Sequence, residues 1–350
     1  MRLALARKTS PDIPLARGYR WREIALPALP LLVFLLSFPL GRYTISPGQL
    51  LTILAAKVFP IEPTWPATME TVVFQVRLPR IIAAMLVGAA LATAGAAYQG
   101  MFKNPLVSPD ILGASAGAGF GAALAIYFSL GVVGIQVSSF LFGLLAVFLA
   151  YALSNRIRHD PALVLVLAGI LTGTLFSAGT SLIKYLADPY DKLPAITFWL
   201  MGSLASISPR DVYAALVPVL LGIIPLYLLR WRLNVLSLGE EEARALGLET
   251  ARLRLIVILC STLMTAACVS ISGMIGWVGL LVPHLARMVV GPNYKVLLPA
   301  TILMGSAYLL LVDDLARVLA TVEIPLGILT ALIGAPFFLY LLQHTRRGWL

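Results

Sequence analysis

Residues 77–105 read RLPRIIAAMLVGAALATAGAAYQGMFKNP. Arginines stand at one end and Lys103 at the other, and from Ile81 to Phe102 no side chain is charged. A helix needs about 20 apolar residues to cross roughly 30 Å of hydrocarbon, and this stretch supplies them. Gly88, Ala92 and Ala96 recur at four-residue spacing, so small residues share one helix face and let a neighbouring backbone come close. The stretch reads as a membrane helix packed among other helices, not as part of a soluble core.

Working outward on the same criterion gives about ten spans: 24–40, 72–100, 111–130, 136–154, 162–187, 212–229, 254–272, 275–290, 296–317 and 325–342. The pair 254–290 is nearly continuous and is divided at Ser272-Gly273, where small residues permit a turn. With the N-terminus inside and the spans alternating, Lys and Arg favour the inner side by about two to one. That bias predicts an even number of spans with both termini in the cytoplasm. Residues 1–22 read as a basic cytoplasmic tail, 23–345 as one membrane domain with an uncleaved first span, and 346–350 as a short cytoplasmic tail. Gly113, Gly117 and Gly121 form a second small-residue stripe. Residues 90–113 run from a small-residue helix through Asn104-Pro105 into a new helix, and 266–287 run from another through Gly273 and Gly279 to Pro283. This shared layout predicts an inverted internal repeat in an all-α polytopic membrane protein.

Composition agrees. The chain is 59% hydrophobic and 12% charged, with a mean hydropathy of +0.91. A soluble domain carries about twice that charged fraction. The net charge of +10 does not point to nucleic acid, because the cations sit in short loops between apolar runs and form no basic face with interleaved aromatics. Cys260 and Cys268 are eight residues apart on one helix, roughly 12 Å along its axis and too far for a disulfide. No phosphate-binding G-x-x-x-x-G-K-[ST] loop occurs, and no Cys/His cluster has metal-ligand spacing, so the chain is expected to bind no cofactor of its own.

The longest polar loop is 230–254. Ser237-Leu238-Gly239-Glu240 reads as a capping box, with Ser237 as N-cap and Glu240 at the third helical position. Glu240, Glu241 and Glu242 suit the positive end of a helix dipole, and Gly247 is placed to end the helix. The loop therefore holds a short cytoplasmic helix, either a solvated connector or a docking element for a partner.

The stretch Leu238-Gly239-Glu240-Glu241-Glu242-Ala243-Arg244-Ala245-Leu246-Gly247 resembles the coupling loop of the permeases that import iron–siderophores, haem and cobalamin. Arg77-Leu78-Pro79-Arg80, Lys103-Asn104-Pro105-Leu106, Leu112-Gly113-Ala114-Ser115-Ala116-Gly117, Gly279-Leu280-Leu281-Val282-Pro283-His284, Ile324-Pro325-Leu326-Gly327 and Gly334-Ala335-Pro336 resemble further segments of that family, in order over about 24–345. The resemblance implies a homodimer in a bacterial or archaeal inner membrane, with two cytoplasmic ATPase subunits that hold ATP and Mg, and a periplasmic substrate-binding protein. Leu238, Gly239, Glu240, Glu241, Ala243, Arg244, Leu246 and Gly247 would seat in the ATPase. Arg77, Arg80 and Arg317 would meet acidic residues of the binding protein; lipid-headgroup anchoring is the plainer reading of these cations. Asn104 and Leu106 match a cytoplasmic gate. A second constriction would fall at Pro161, Ala162 and Leu163, where relatives carry small polar residues and this chain departs from them. The spans 162–187 and 325–342 would line an apolar passage of low affinity.

Alternatives stay open on the residues alone. Molybdate or tungstate oxyanions are moved by similar permeases. Asp313 and Asp314 could serve a proton-coupled transporter, although Arg317 is placed to pair with Asp313 one helical turn away. Gly113-Ala114-Ser115-Ala116-Gly117 matches a serine nucleophile motif, with His284 as the distant base, but that motif needs a strand before the serine.

Overall fold

The structure is a computed structural model that describes residues 20–41, 43–57, 59–157 and 161–344; the two terminal tails of the sequence reading lie almost wholly outside them. Its helices are α1 (Arg20–Ser37), α2 (Pro47–Ala55), α3 (Ala67–Thr71), α4 (Leu78–Met101), α5 (Ala114–Tyr127), α6 (Gly131–Ser154), α7 (Pro161–Leu186), α8 (Lys192–Leu200), α9 (Pro209–Leu228), α10 (Arg230–Leu236), α11 (Glu240–Ala245), α12 (Thr250–Ser272), α13 (Val278–Val290), α14 (Tyr294–Val318) and α15 (Leu326–His344). No strand occurs among the described residues.

Each expected span contains one apolar helix. Among the described residues, six helical stretches are long and apolar enough to cross a membrane: 67–101, α6, α7, α9, α12 and α14. The apolar parts of α1, α5, α13 and α15 are shorter. Helix α13 is one of these shorter elements. Its 13 residues reach only about 20 Å. It is entered through an irregular stretch, 273–277, that begins at Gly273 (φ +67°) and ends at Trp277 (φ +68°). Irregular backbone at membrane depth is tolerated where protein covers it. Here Gly273 and Ile275 are buried, and Trp277 packs on Gly334 of α15.

Small residues set the core. Helix α4 lies at the centre against α12, α13 and α14. At Gly88 it meets Gly305, and at Gly95 it meets Gly279, so closely that a Cβ at either position would overlap backbone. Gly117 and Gly121 bring α5 equally close to α6. Association in lipid rests on such close packing. The repeat is visible in the pairings. α4 packs on α12, α5 leans on α12 while α13 leans on α4, and α6 packs on α12 while α14 packs on α4. Two inverted units would be expected to pair in this way.

A π-helical turn, Val72–Arg77, joins α3 to α4. Pro79 explains it. Proline has no N–H for the carbonyl four residues back, and its ring crowds that carbonyl, so the preceding turn widens.

Candidate functional site

Two polar clusters lie at opposite ends of the bundle. The first surrounds α11. Leu238, Glu241, Arg244, Leu246 and Gly247 are exposed, whereas Gly239 and Ala243 are buried and Glu240 is half-buried. The expected capping box is not formed. Ser237 ends α10, its hydroxyl donating to Asn234 O (2.7 Å), and α11 starts only at Glu240, after Gly239 at φ +147°. Gly239 adopts a backbone angle that favours glycine, between Ser237 and the helix, and this moves the helix start past Ser237. Glu240 is a clasp instead. Its carboxylate accepts from Arg244 (2.5 Å), from Arg254 of α12 and from the Thr250 hydroxyl (3.4 Å). Gly247 ends the helix as expected. It sits at φ +80°, its N–H donates to Arg244 O (2.9 Å), and Leu248 N–H donates to Ala243 O (3.0 Å). Those two bonds make the left-handed helix stop that favours glycine.

The same end carries the proposed gate. Asn104 and Leu106 are exposed, and Asn104 Oδ1 accepts the Leu106 N–H (2.9 Å), closing a tight turn. Lys103 (φ +52°) stops α4, with Asn104 N–H donating to Gln99 O (3.1 Å). A Cβ on Gly239 would stand 2.9 Å from Lys103 Nζ, so the gate loop touches the segment that carries α11. Pro161, Ala162 and Leu163 open α7, with Pro161 and Leu163 exposed and Ala162 half-buried.

The opposite end holds the three arginines, and they are buried, with 4%, 6% and 6% exposure for Arg77, Arg80 and Arg317. The sequence places them together at this end without showing the partners they find within the chain. Arg77 donates to the carbonyls of Phe38 and Tyr43. Arg80 forks onto Asp313 (2.9–3.1 Å) and reaches Glu323 (3.0 Å). Arg317 reaches Asp313 (3.3 Å), Asp314 and Leu40 O (3.2 Å), and Ser37 of α1 donates to Asp314 (2.6 Å). A desolvated charge costs several kcal/mol unless paired, so burying Arg80 and Arg317 requires the carboxylates beside them, while backbone carbonyls hold Arg77. Asp313 does pair with Arg317 as its spacing suggests, but Arg80 is the partner the linear sequence hides. Both oxygens of Asp313 are held by two arginines.

The serine motif also dissolves. A 3₁₀ turn (Pro109–Leu112) and α5 flank Ser115, whose hydroxyl bonds Asp110, while His284 lies against Phe338 with ring centroids 6.4 Å apart.

The family model described as the FecCD transport family matches residues 29–344. The chain belongs to that family. The molybdate import system permease MolB of Haemophilus influenzae is 46% identical over 323 residues, covering 92% of this chain and 95% of that protein. The cobalamin import system permease BtuC of Halobacterium salinarum is 43% identical over 298 residues, covering 85% and 79%. A solved metal-chelate type ABC transporter in an inward-facing conformation superposes with a TM-score of 0.84 at 44% identity, over 93% of this chain and all of that one. This FecCD protein is thus a multi-span permease of an ABC importer, a transport subunit. Importers of this class work with ATPase and substrate-binding subunits.

Proposed function

We propose that the protein moves a metal chelate of the iron–siderophore, haem or cobalamin type from periplasm to cytoplasm, as a homodimer with two ATPase subunits and a periplasmic binding protein. The observation that carries this reading is α11. It is a short, acidic, solvent-facing helix between two long apolar ones, clamped to α12 by Glu240 and flanked by the exposed Leu238 and Leu246. Exposed leucines beside an acidic helix give a partner both grip and register. In this reading the α11 end is cytoplasmic, as the charge bias of the loops requires. ATP and Mg are bound by the ATPase. The exposed apolar face of α7, with Leu163, Leu167 and Leu171, meets its counterpart across the dimer, and α15 completes the passage. A path of this character holds substrate weakly enough to release it.

Asn104 and Leu106 form the inner gate, with Ala162 and Leu163 as the second constriction. Arg77, Arg80 and Arg317 dock the binding protein. Among the described residues Arg77 has no carboxylate partner and Arg80 shares the partly exposed Glu323, so an incoming acid would meet Arg77 first and then displace Glu323. Arg77→Gln should weaken capture of the binding protein about three- to tenfold at low salt and less at high salt. Unchanged capture at both salt concentrations would remove Arg77 from the docking surface.

A second substrate reading, a molybdate-type oxyanion, is favoured by the 46% identity to MolB. Proteoliposomes containing the permease, its ATPase and its binding protein test all readings together. Labelled cyanocobalamin, a ferric siderophore and molybdate are offered separately, with ATP or with a proton gradient alone. ATP-driven uptake of a chelate supports the first reading and ATP-driven molybdate uptake the second. Uptake on the gradient without ATP contradicts both.

A further inference from the structure

A polar connection, exposed at Asn293 and buried at Gln99, runs from the docking segment to the gate loop. Asn234 of α10 donates to Asn293 Oδ1 (2.8 Å) and accepts the N–H of Tyr294 (2.7 Å). The Tyr294 phenol donates to Ala96 O (2.9 Å) and lies 3.5 Å from Arg287 Nη2. Arg287 donates through Nη1 to Gln99 Oε1 (2.6 Å). Gln99 is 3% exposed. Its Nε2 points at three carbonyls: Val107 (3.2 Å), Gly279 (3.3 Å) and Leu280 (3.5 Å). Val107 closes the gate turn, its N–H donating to Asn104 O (3.3 Å).

The sequence explains why an amide stands there. The carbonyl of Gly279 should bond the N–H of residue 283, but residue 283 is proline and has none. A buried carbonyl left without a donor is costly. Gln99 supplies the donor from another helix, one turn beyond the Gly95–Gly279 crossing. The same amide group holds Val107. The first turn of α13, the end of α4 and the gate loop therefore share one side chain, and Arg287 fixes which way it faces.

We propose that Gln99, oriented by Arg287, is a positioning residue that makes the gate loop move with α13 and with the segment carrying α11. The inference rests on the gate and docking assignments above. A leucine would fill the same volume in α4 without needing partners, but it would leave the loop and α13 free to move apart.

The test uses the complete transporter with its ATPase in proteoliposomes. Leu106→Cys is the reporter, and its alkylation by a charged maleimide is timed with and without ATP and vanadate. The native Cys260 and Cys268 are buried. In the reporter alone the rate should respond to ATP. Adding Gln99→Leu leaves carbonyls unpaired, so the response should fall about tenfold while ATP hydrolysis stays within about twofold. Adding Arg287→Lys, which keeps a donor to Gln99, should retain most of the response. A Gln99→Leu protein with the full response overturns the proposal. So does one that loses response and hydrolysis together, because that marks a folding defect and not a positioning role. A reporter that never responds to ATP overturns the gate assignment itself, and the proposal with it.

Discussion

Gly247→Pro should abolish transport while the proposed partner ATPase goes on hydrolysing ATP. Two features of Gly247 cannot coexist with proline. Its φ of +80° is far from the −65° or so that the ring imposes, and its N–H, which donates to Arg244 O at 2.9 Å, would vanish. The penalty, about 3 kcal/mol, reduces the population of the formed α11 stop about 100-fold. The loss falls on the one helix through which the ATPase would grip the permease. Gly247→Asn is the control, since asparagine tolerates the left-handed conformation and keeps its N–H, and it should transport at close to the wild-type rate. The measurement is substrate accumulated per ATP hydrolysed in proteoliposomes. Normal accumulation by the proline variant would mean that α11 is no more than a connector.

Asp313→Ala should be the most destabilising substitution in the polar clusters. Asp313 is fully buried and receives Arg80 through a fork at 2.9–3.1 Å and Arg317 at 3.3 Å. Without it two desolvated guanidinium groups face each other, a loss of about 3–5 kcal/mol. The detergent-solubilised protein should melt about 5–10 °C lower. Pairing Asp313→Leu with Arg80→Met should recover part of that loss, because removing both partners avoids a stranded charge. If the single variant melts like the wild type, the cluster contributes no stability and its carboxylates have another purpose.

Much of this was legible in the linear sequence, for identifiable reasons. Apolar run length found every long helix, because the hydrocarbon thickness fixes how many residues are needed. Four-residue spacing of Gly88 and Ala92 marked a real crossing, because helical periodicity puts such residues on one face. Gly247 was readable because only a few residues accept its backbone angle. What escaped depends on distance in sequence. Nothing near Arg80 announces Asp313, 233 positions away, and nothing near Gln99 announces Arg287, 188 away. The one hint of Gln99 was its place as an amide at the end of an otherwise small and apolar helix, with Pro283 elsewhere removing a donor. The misplaced cap at Ser237 had a local cause: its motif fits the pattern, yet the reversal at Gly239 comes between the serine and the helix it was expected to start.

The arginine cluster also bears on how the chain is made. Ser37, at the end of the first helix, finds its carboxylate partner Asp314 277 residues later. While a ribosome is still adding the middle of the chain, Arg80 already lies in the bilayer with neither Asp313 nor Glu323 yet synthesised. A nascent or truncated polypeptide therefore carries unmatched charge at the start of α4 until α14 inserts. Arrival of α14 pairs that charge with Asp313 and ties Ser37 of α1 to Asp314, so a product lacking the last quarter of the sequence would leave both without these partners.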